Sequence, residues 1–122
     1  MTMKLGMTFK QRDILLVPVP FTDLSSTKQR PVIVLSNDRA IESSPDLLVV
    51  AVTSNLLFAN DYTVEIDSSD IENRLLPRKS VVRCDKLYTI SKDIVLKRFN
   101  RIRQEVFLRL IEVIKKLITP AS

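Results

Sequence analysis

The pattern of hydrophobic and polar positions along the chain predicts a series of short β-strands followed by one helix. The third strand is apolar throughout, which is typical of a central strand covered on both faces. Pro18 suits a strand end or a sheet edge, and Pro31 suits the first position of a strand. Residues 22–29 and 37–46 are polar or charged and are predicted as connections. Six strands are predicted, at residues 13–19, 30–36, 47–53, 62–66, 80–85 and, with a weaker pattern, 94–99.

The helix is predicted over residues 104–118, where apolar residues recur at helical spacing and form one stripe. Lys115 and Lys116 lie in its last turn, where cations favour the helix dipole. Five or six strands and one helix in 122 residues predict one domain, 1–122, with residues 1–10 as an N-terminal leader. We expect a mainly β fold, a small and strongly bent barrel that the C-terminal helix closes.

The amino-acid composition excludes several kinds of chemistry. The chain has no histidine and one cysteine, so it can build neither a zinc site of the usual type nor a Ser-His-Asp or Cys-His arrangement. Its one glycine, Gly6, excludes a glycine-rich phosphate loop. No cofactor and no metal are therefore expected. Because Cys84 is the single cysteine, no internal disulfide can form, which fits a reducing cytoplasm. Cys84 is predicted to face the core beside Val82.

Neither a membrane span nor export is expected, because no apolar run approaches the ~18 residues that a span requires and the N-terminus lacks a signal-type stretch.

Charge is spread unevenly along the chain. Residues 74–103 hold ten Lys and Arg against two acids, whereas residues 38–73 hold eight acids against one Arg. The basic segment is suited to a polyanionic partner, and a solvated basic face is the alternative.

The stretch of residues 80–85 carries the most informative pair of side chains. Its β-branched residues predict a strand, and alternation along a strand points Arg83 and Asp85 in the same direction. A guanidinium beside a carboxylate can bind a phosphate and move a proton next to it. A surface ion pair without further role is the alternative for these two residues.

Motifs spread over nearly the whole chain resemble the PemK/MazF family of toxins from bacterial toxin–antitoxin pairs. The first motifs are Pro20-Phe21-Thr22-Asp23 and Lys28-Gln29-Arg30-Pro31. Ala51-Val52-Thr53-Ser54 and Ser80-Val81-Val82-Arg83-Cys84-Asp85 follow in the same order. The resemblance implies an SH3-like barrel, a homodimer and metal-independent, sequence-selective cleavage of single-stranded RNA. It also implies a cognate antitoxin, and a toxin–antitoxin complex that binds DNA.

The resemblance also implies which residues act, position by position. Arg30 matches the arginine of the Arg-Pro motif at the RNA site, and Thr53 and Ser54 match the Thr-Ser that ends the third strand. Arg83 and Asp85 match the Arg-x-Asp pair that carries catalysis. The family's catalytic histidine has no counterpart here, and two usual glycines are missing, one at the position before Asp13 and one at residues 73–74.

The expected roles follow from RNA chemistry, because RNA carries its own nucleophile, the 2′-hydroxyl. Arg30 and Arg83 are assigned to phosphate binding and transition-state stabilisation, since guanidinium grips phosphate oxygens in a planar, bidentate manner. Asp85 is the candidate general base, although a neighbouring cation weakens a carboxylate in that role. Thr53 and Ser54 offer hydroxyl groups to phosphate or to an arginine.

Lys28 and Gln29 are predicted RNA contacts by their position, with a solvated loop as the alternative. Two other functions also fit the barrel. One is a toxin of the CcdB type, which binds DNA gyrase and does no chemistry, and the other is a catalytically inactive barrel that binds only RNA or an antitoxin.

Overall fold

Six strands and two α-helices are present in the part of the chain that the computed structural model describes, residues 7–18, 28–73 and 78–121. Three short 3₁₀ helices lie in the connections, at Leu56–Phe58, Ser68–Asp70 and Lys92–Ile94. The main elements are β1 Asp13–Pro18, β2 Gln29–Val34, α1 Asp38–Ser43, β3 Asp46–Thr53, β4 Thr63–Ile66, β5 Ser80–Ser91, β6 Lys97–Arg101 and α2 Gln104–Ile118.

All six strands belong to one antiparallel sheet in the order β4-β5-β3-β2-β1-β6. The sheet curls until the segments that follow its two edge strands meet. There Ile71 forms a β-bridge with Ile102, Glu72 N donates to Arg101 O at 2.9 Å, and Arg103 N donates to Asp70 O at 2.9 Å. The expected fold class, a mainly β, barrel-like sheet with a C-terminal helix, is confirmed.

Apolar side chains pack on both faces of the sheet. The first cluster joins the inner face of the curled sheet to α2 and includes Val50 and Val52 of β3. The second cluster lies on the opposite face and includes Leu47 and Val49 of the same strand, together with Ile41 of α1. The prediction that the third strand is central and covered on both faces is therefore confirmed.

Helix α2 has the predicted bounds, and it buries Val106, Phe107 and Leu110 in the first cluster. The apolar stripe continues beyond the core, because Leu117 is 37% exposed and Ile118 is 69% exposed at the last turn. No helix in the described ranges has the length and apolar content that a bilayer crossing requires.

Asp13, the first residue of β1, is a buried carboxylate that sequence analysis did not single out. It is only 1% exposed, and it forms ion pairs with Arg101 at 3.1 Å and with Arg98 at 3.7 Å. It also accepts a hydrogen bond from Lys10 N at 2.7 Å. Since buried charges require partners, this network ties β1 to β6 at the edge of the sheet.

Arg12 has a positive φ of 79°, a conformation that favours glycine. This is one of the positions where the family resemblance led us to expect glycine. The arginine side chain adds contacts that glycine lacks, because its Nη1 lies 2.9 Å from the carbonyl oxygen of Ile102 and 3.2 Å from Glu72 Oε2. The missing glycine thus marks a real backbone requirement, which this chain meets with a non-glycine residue.

Residues 37–46 were predicted only as a connection, but they contain the short helix α1. Asn37 caps this helix, and its side chain accepts a hydrogen bond from Ala40 N at 2.8 Å. Only Ile41 is buried among its residues. One buried position cannot produce a periodic pattern, so sequence analysis had no signal for the helix.

Two strand predictions were wrong in extent. Strand β5 runs to Ser91 rather than stopping at residue 85. Its pairing with β3 jumps from Leu87, opposite Val50, to Arg83, opposite Ala51, so the intervening residues of β5 form a bulge. The sixth strand begins at Lys97 rather than at residue 94, because Lys92–Ile94 forms a 3₁₀ turn.

The other strand ends differ by a few residues. Strand β2 begins at Gln29 and ends at Val34, so Pro31 is its third residue and not its first. Pairing of β2 with β3 begins only at Val32, which leaves the proline where β2 has one neighbouring strand. Val19 and most of the predicted 22–29 loop lie outside the described residues.

Candidate functional site

Arg83 and Asp85 form an ion pair on β5, as alternation along the strand predicted. Arg83 Nη2 donates to Asp85 Oδ2 at 3.1 Å. The two side chains are only 19% and 26% exposed, so water screens the pair less than it would screen a pair on an open surface. Asp85 lies in the β5 bulge, which re-aims side chains relative to a regular strand.

Phe58 covers the guanidinium of Arg83. The Arg83 Cζ atom lies 4.5 Å from the centroid of the Phe58 ring, within the range of a cation–π contact. The 3₁₀ turn that carries Phe58 is fixed by Asn55, whose side chain accepts from Leu57 N at 3.0 Å and whose backbone N donates to Thr53 Oγ1 at 3.1 Å. Arg83 is thus held from the side by a carboxylate and from above by a ring.

Arg83 Nε is buried and has no hydrogen-bond partner among the residues that the structure describes. A buried donor without a partner is costly, and such groups are found where a ligand, a water molecule or an ion completes the site. The orphaned donor therefore marks this guanidinium as a place where an acceptor oxygen would be stabilised.

Thr53 and Arg30 lie on the same face of the sheet as Arg83. In the β3–β5 register Arg83 is opposite Ala51 and Thr53 is opposite Val81, which makes Thr53 and Arg83 diagonal neighbours, about 7–8 Å apart. Val32 of β2 is opposite Ala51, and Arg30 lies two residues before Val32 in the same strand, so alternation turns Arg30 to the same face. Arg30 is therefore two strands from β5, roughly 10 Å across the sheet.

A cavity of about 600 Å³ opens at the ends of β2 and β3. Its floor is apolar and includes Ile33, Val52 and Phe99. The residues that line it within the described ranges include four cations and no acid. These cations are Lys28, Arg30, Arg78 and Lys97.

The structure brings five of the seven residues singled out from the sequence to this cavity, namely Lys28, Gln29, Arg30, Thr53 and Ser54. Arg83 and Asp85 do not line it, but Thr53, which does, is the diagonal cross-strand neighbour of Arg83. The arrangement can hold a polyanion along the cation-lined mouth and place one of its groups against a paired guanidinium and carboxylate.

Sequence analysis missed three residues of this region. Arg78 and Lys97 belong to the basic segment 74–103, so charge indicated the segment but not which cations converge on the cavity. Phe58 follows no periodic pattern, because it belongs to a three-residue turn.

Cys84 is fully buried, which confirms that it faces the core. Burial, with the nearby charge of Asp85 as a second cause, raises the pKa of its thiol to about 11. The thiol therefore stays protonated at neutral pH and does not act as a nucleophile. No three acidic or cysteine side chains in the described ranges come together as a metal-binding group.

One protein-family profile, described as PemK-like, MazF-like toxin of type II toxin–antitoxin system, matches residues 10–118. The match includes all the residues that sequence analysis singled out. No curated protein sequence matches the chain significantly.

Solved structures of low sequence identity share the fold. An endoribonuclease in complex with its cognate antitoxin from a mycobacterial species has 16% identity and a TM-score of 0.73, covering 94% of this chain and 100% of its own. Mycobacterium tuberculosis toxin MazF-mt6 has 20% identity and a TM-score of 0.72, covering 91% and 100%. MazF from Deinococcus radiodurans has 14% identity and a TM-score of 0.73, covering 93% and 99%.

Proposed function

Because the chain belongs to the family of PemK-like, MazF-like toxins of type II toxin–antitoxin systems, we propose that it is a sequence-selective endoribonuclease that cleaves single-stranded mRNA. The cytoplasm, where mRNA and a reduced Cys84 are both expected, is its proposed location. The observation that carries the proposal is the Arg83–Asp85 pair, held at 3.1 Å beside a cation-lined cavity.

The proposed reaction uses the 2′-hydroxyl of the RNA as the nucleophile. Asp85 takes its proton, the 2′-oxygen forms a bond to phosphorus, and the bond from phosphorus to the 5′-oxygen breaks. The leaving oxygen takes a proton from water, which leaves a 2′,3′-cyclic phosphate and a 5′-hydroxyl. Arg83 stabilises the additional negative charge on the phosphorane-like transition state, the type of contribution that is large in many enzymes.

The remaining residues hold the substrate. Arg30, about two strands from Arg83, binds a phosphate neighbouring the scissile one, because guanidinium and phosphate form bidentate contacts. The Thr53 and Ser54 hydroxyls lie at the end of β3 and donate to phosphate oxygens. Lys28 and Gln29, both exposed at the cavity, bind the RNA backbone.

Cleavage of a labelled single-stranded RNA in the presence of EDTA tests this mechanism. Fragments that end in a 2′,3′-cyclic phosphate and begin with a 5′-hydroxyl are expected, and mass spectrometry identifies both ends. A 2′-O-methyl group placed at the mapped cut site should abolish cleavage there, because it removes the nucleophile. Cleavage of the methylated site, or strict dependence on Mg²⁺, would sink the mechanism.

The same assay separates the alternatives. A gyrase-binding toxin of the CcdB type would leave the RNA intact and inhibit gyrase supercoiling. An inactive barrel would bind RNA or an antitoxin without producing fragments. The Arg83–Asp85 pair favours the ribonuclease, since neither alternative requires a guanidinium next to a proton acceptor.

Two partners accompany the proposed activity, a second copy of the chain and a cognate antitoxin. The exposed apolar residues Leu48, Leu87 and Leu96, at 36–46% exposure, leave surface that a dimer would cover. An antitoxin segment that is acidic and apolar complements the cationic rim and apolar floor of the cavity. It is disordered until it binds and competes there with RNA.

Light scattering and a competition assay check these partners. We expect the mass of two chains at micromolar concentration, and we expect the antitoxin to displace uncleavable 2′-O-methyl RNA. A mass equal to one chain would contradict the dimer. A stable complex that contains toxin, antitoxin and RNA together would contradict the competition.

A further inference from the structure

Large apolar side chains are exposed next to the Arg83–Asp85 pair. Leu56 is 43% exposed, Leu57 is 92% exposed and Phe58 is 44% exposed, all within one 3₁₀ turn. Tyr62 is 40% exposed and precedes Thr63, which pairs with Arg83 across β4 and β5. Exposed apolar residues clustered around one charged pair indicate a binding surface rather than scattered surface residues.

The position of the Phe58 ring narrows what this surface can bind. One face of the ring carries the Arg83 guanidinium at 4.5 Å, yet the residue keeps 44% of its surface exposed. Part of the residue therefore stays accessible to a ligand while the guanidinium occupies one face of the ring. The turn that carries the ring is fixed by the capping hydrogen bonds of Asn55, so the ring is held in place before any ligand arrives.

We propose that Phe58 is a stacking platform for one base of single-stranded RNA, next to the phosphate that Arg83 binds. This inference rests on the proposed ribonuclease function and adds to it a residue that positions the substrate. A base and its own phosphate are joined through one ribose, so a single nucleotide can place its base on the ring and its phosphate at the guanidinium.

The chemistry of the surface favours a base over an apolar peptide. Guanidinium and ring are in contact, and this pairs a phosphate-binding group with a π-face, as single-strand binding sites do. The cavity that Thr53 lines, diagonally across from Arg83, adds four cations for the adjoining phosphates. An apolar peptide could pack equally well on Leu57. Leu57 is the most exposed apolar residue of the turn and does not cover the arginine.

Binding of RNA that carries 2′-O-methyl groups throughout tests the platform without any cleavage. Phe58→Ala should weaken binding by about tenfold or more, the scale expected when a stacked base loses its ring. Phe58→Trp should retain or strengthen binding. Leu57→Ala is the matched control from the same turn, and it should weaken binding far less than Phe58→Ala does, because Leu57 has no π-face for a base.

Single abasic nucleotides, placed one position at a time, identify the stacked base. At one position the abasic substitution should weaken binding to the wild-type protein as much as Phe58→Ala does, and it should have no further effect on the Phe58→Ala variant. Such non-additivity is the mark of two groups that contact each other. Independent, additive effects at every position would overturn the proposal.

Fluorescence supplies a second readout, because the natural chain has no tryptophan. The emission of the Phe58→Trp variant should be quenched when RNA binds, whereas the emission of a Leu57→Trp variant should change little. Equal quenching of both, or equal loss of affinity for Phe58→Ala and Leu57→Ala, would show a general apolar docking surface and overturn the base platform.

The outcome for the platform can be told apart from the outcome for the proposed function. A protein that neither binds nor cleaves RNA fails the proposed function itself. A protein that cleaves RNA at a mapped site, but whose Phe58→Ala variant binds uncleavable RNA as the wild type does, refutes only the platform. Circular dichroism of each variant confirms that the sheet is intact.

Discussion

Replacement of Arg83 by alanine should lower the rate of RNA cleavage by about 10²-fold or more, the usual effect of removing one preorganised donor to a developing charge. Its guanidinium is already fixed in the free protein by Asp85 and by the Phe58 ring, at 3.1 Å and 4.5 Å. No reorganisation is then needed when the transition state forms. Single-turnover rates at saturating protein measure this effect separately from binding.

Two further variants separate charge, geometry and proton transfer. Arg83→Lys keeps the positive charge and loses the planar pair of donors, so it should recover only part of the activity. Asp85→Asn keeps the shape and removes the proton acceptor, and it should also lower the rate by about 10²-fold or more.

Lys86→Ala is the matched control, because Lys86 is the exposed neighbour of Asp85 in the same bulge. It should cleave RNA at the wild-type rate. All these variants should fold, since Arg83 and Asp85 are not part of either apolar cluster. Folded Arg83→Ala and Asp85→Asn proteins that cut at the wild-type rate would show that the catalytic site lies elsewhere.

Much of the fold was predictable because hydrophobic patterns report local structure directly. Helix α2 has the predicted bounds at Gln104 and Ile118, since its stripe covers one cluster along most of its length. Strand β3 was recognised as central because both of its faces are apolar. In both elements the buried positions follow a regular pattern along the sequence.

Irregular strand pairing and backbone conformation limited the prediction of the other elements. The β5 strand was predicted too short because its bulge interrupts the alternation of buried and exposed residues at Cys84–Lys86. The contact between Arg83 and Asp85 was nevertheless predicted correctly. The positive φ of Arg12 was not predictable from the residue itself, since its side chain gives no sign of a glycine-like conformation.

The composition of the candidate site was only partly predictable for a spatial reason. The resemblance indicated Arg30, Thr53 and the Arg83–Asp85 pair as separate motifs. The cavity that joins Arg30 and Thr53 to Arg78 and Lys97 depends on how strand ends converge in the curled sheet, and Arg83 lies diagonally across from Thr53. This convergence depends on how the strands pair in three dimensions, so a local stretch of sequence does not reveal it.

Affinity for RNA should fall by about 10²-fold between 50 mM and 200 mM salt, because the dependence on salt reflects the number of phosphates that cations contact. Five cations are placed to do so, four at the cavity and Arg83 beside it. With a slope of roughly −0.7 per phosphate for single strands, five contacts give a log–log slope of about −3.5. Fluorescence anisotropy with uncleavable 2′-O-methyl RNA measures this slope.

The slope also shows which cations take part. Arg78→Gln and Lys97→Gln should each make it less steep by about 0.7, since each removes one phosphate contact. Lys116→Gln is the control, because Lys116 is an exposed cation in the last turn of α2 and does not line the cavity. If Lys116→Gln changed the slope as much as Lys97→Gln does, the attraction would come from the net charge of +5 rather than from a site. A slope that follows only the cavity cations would instead place the RNA backbone across the ends of β2, β3 and β6.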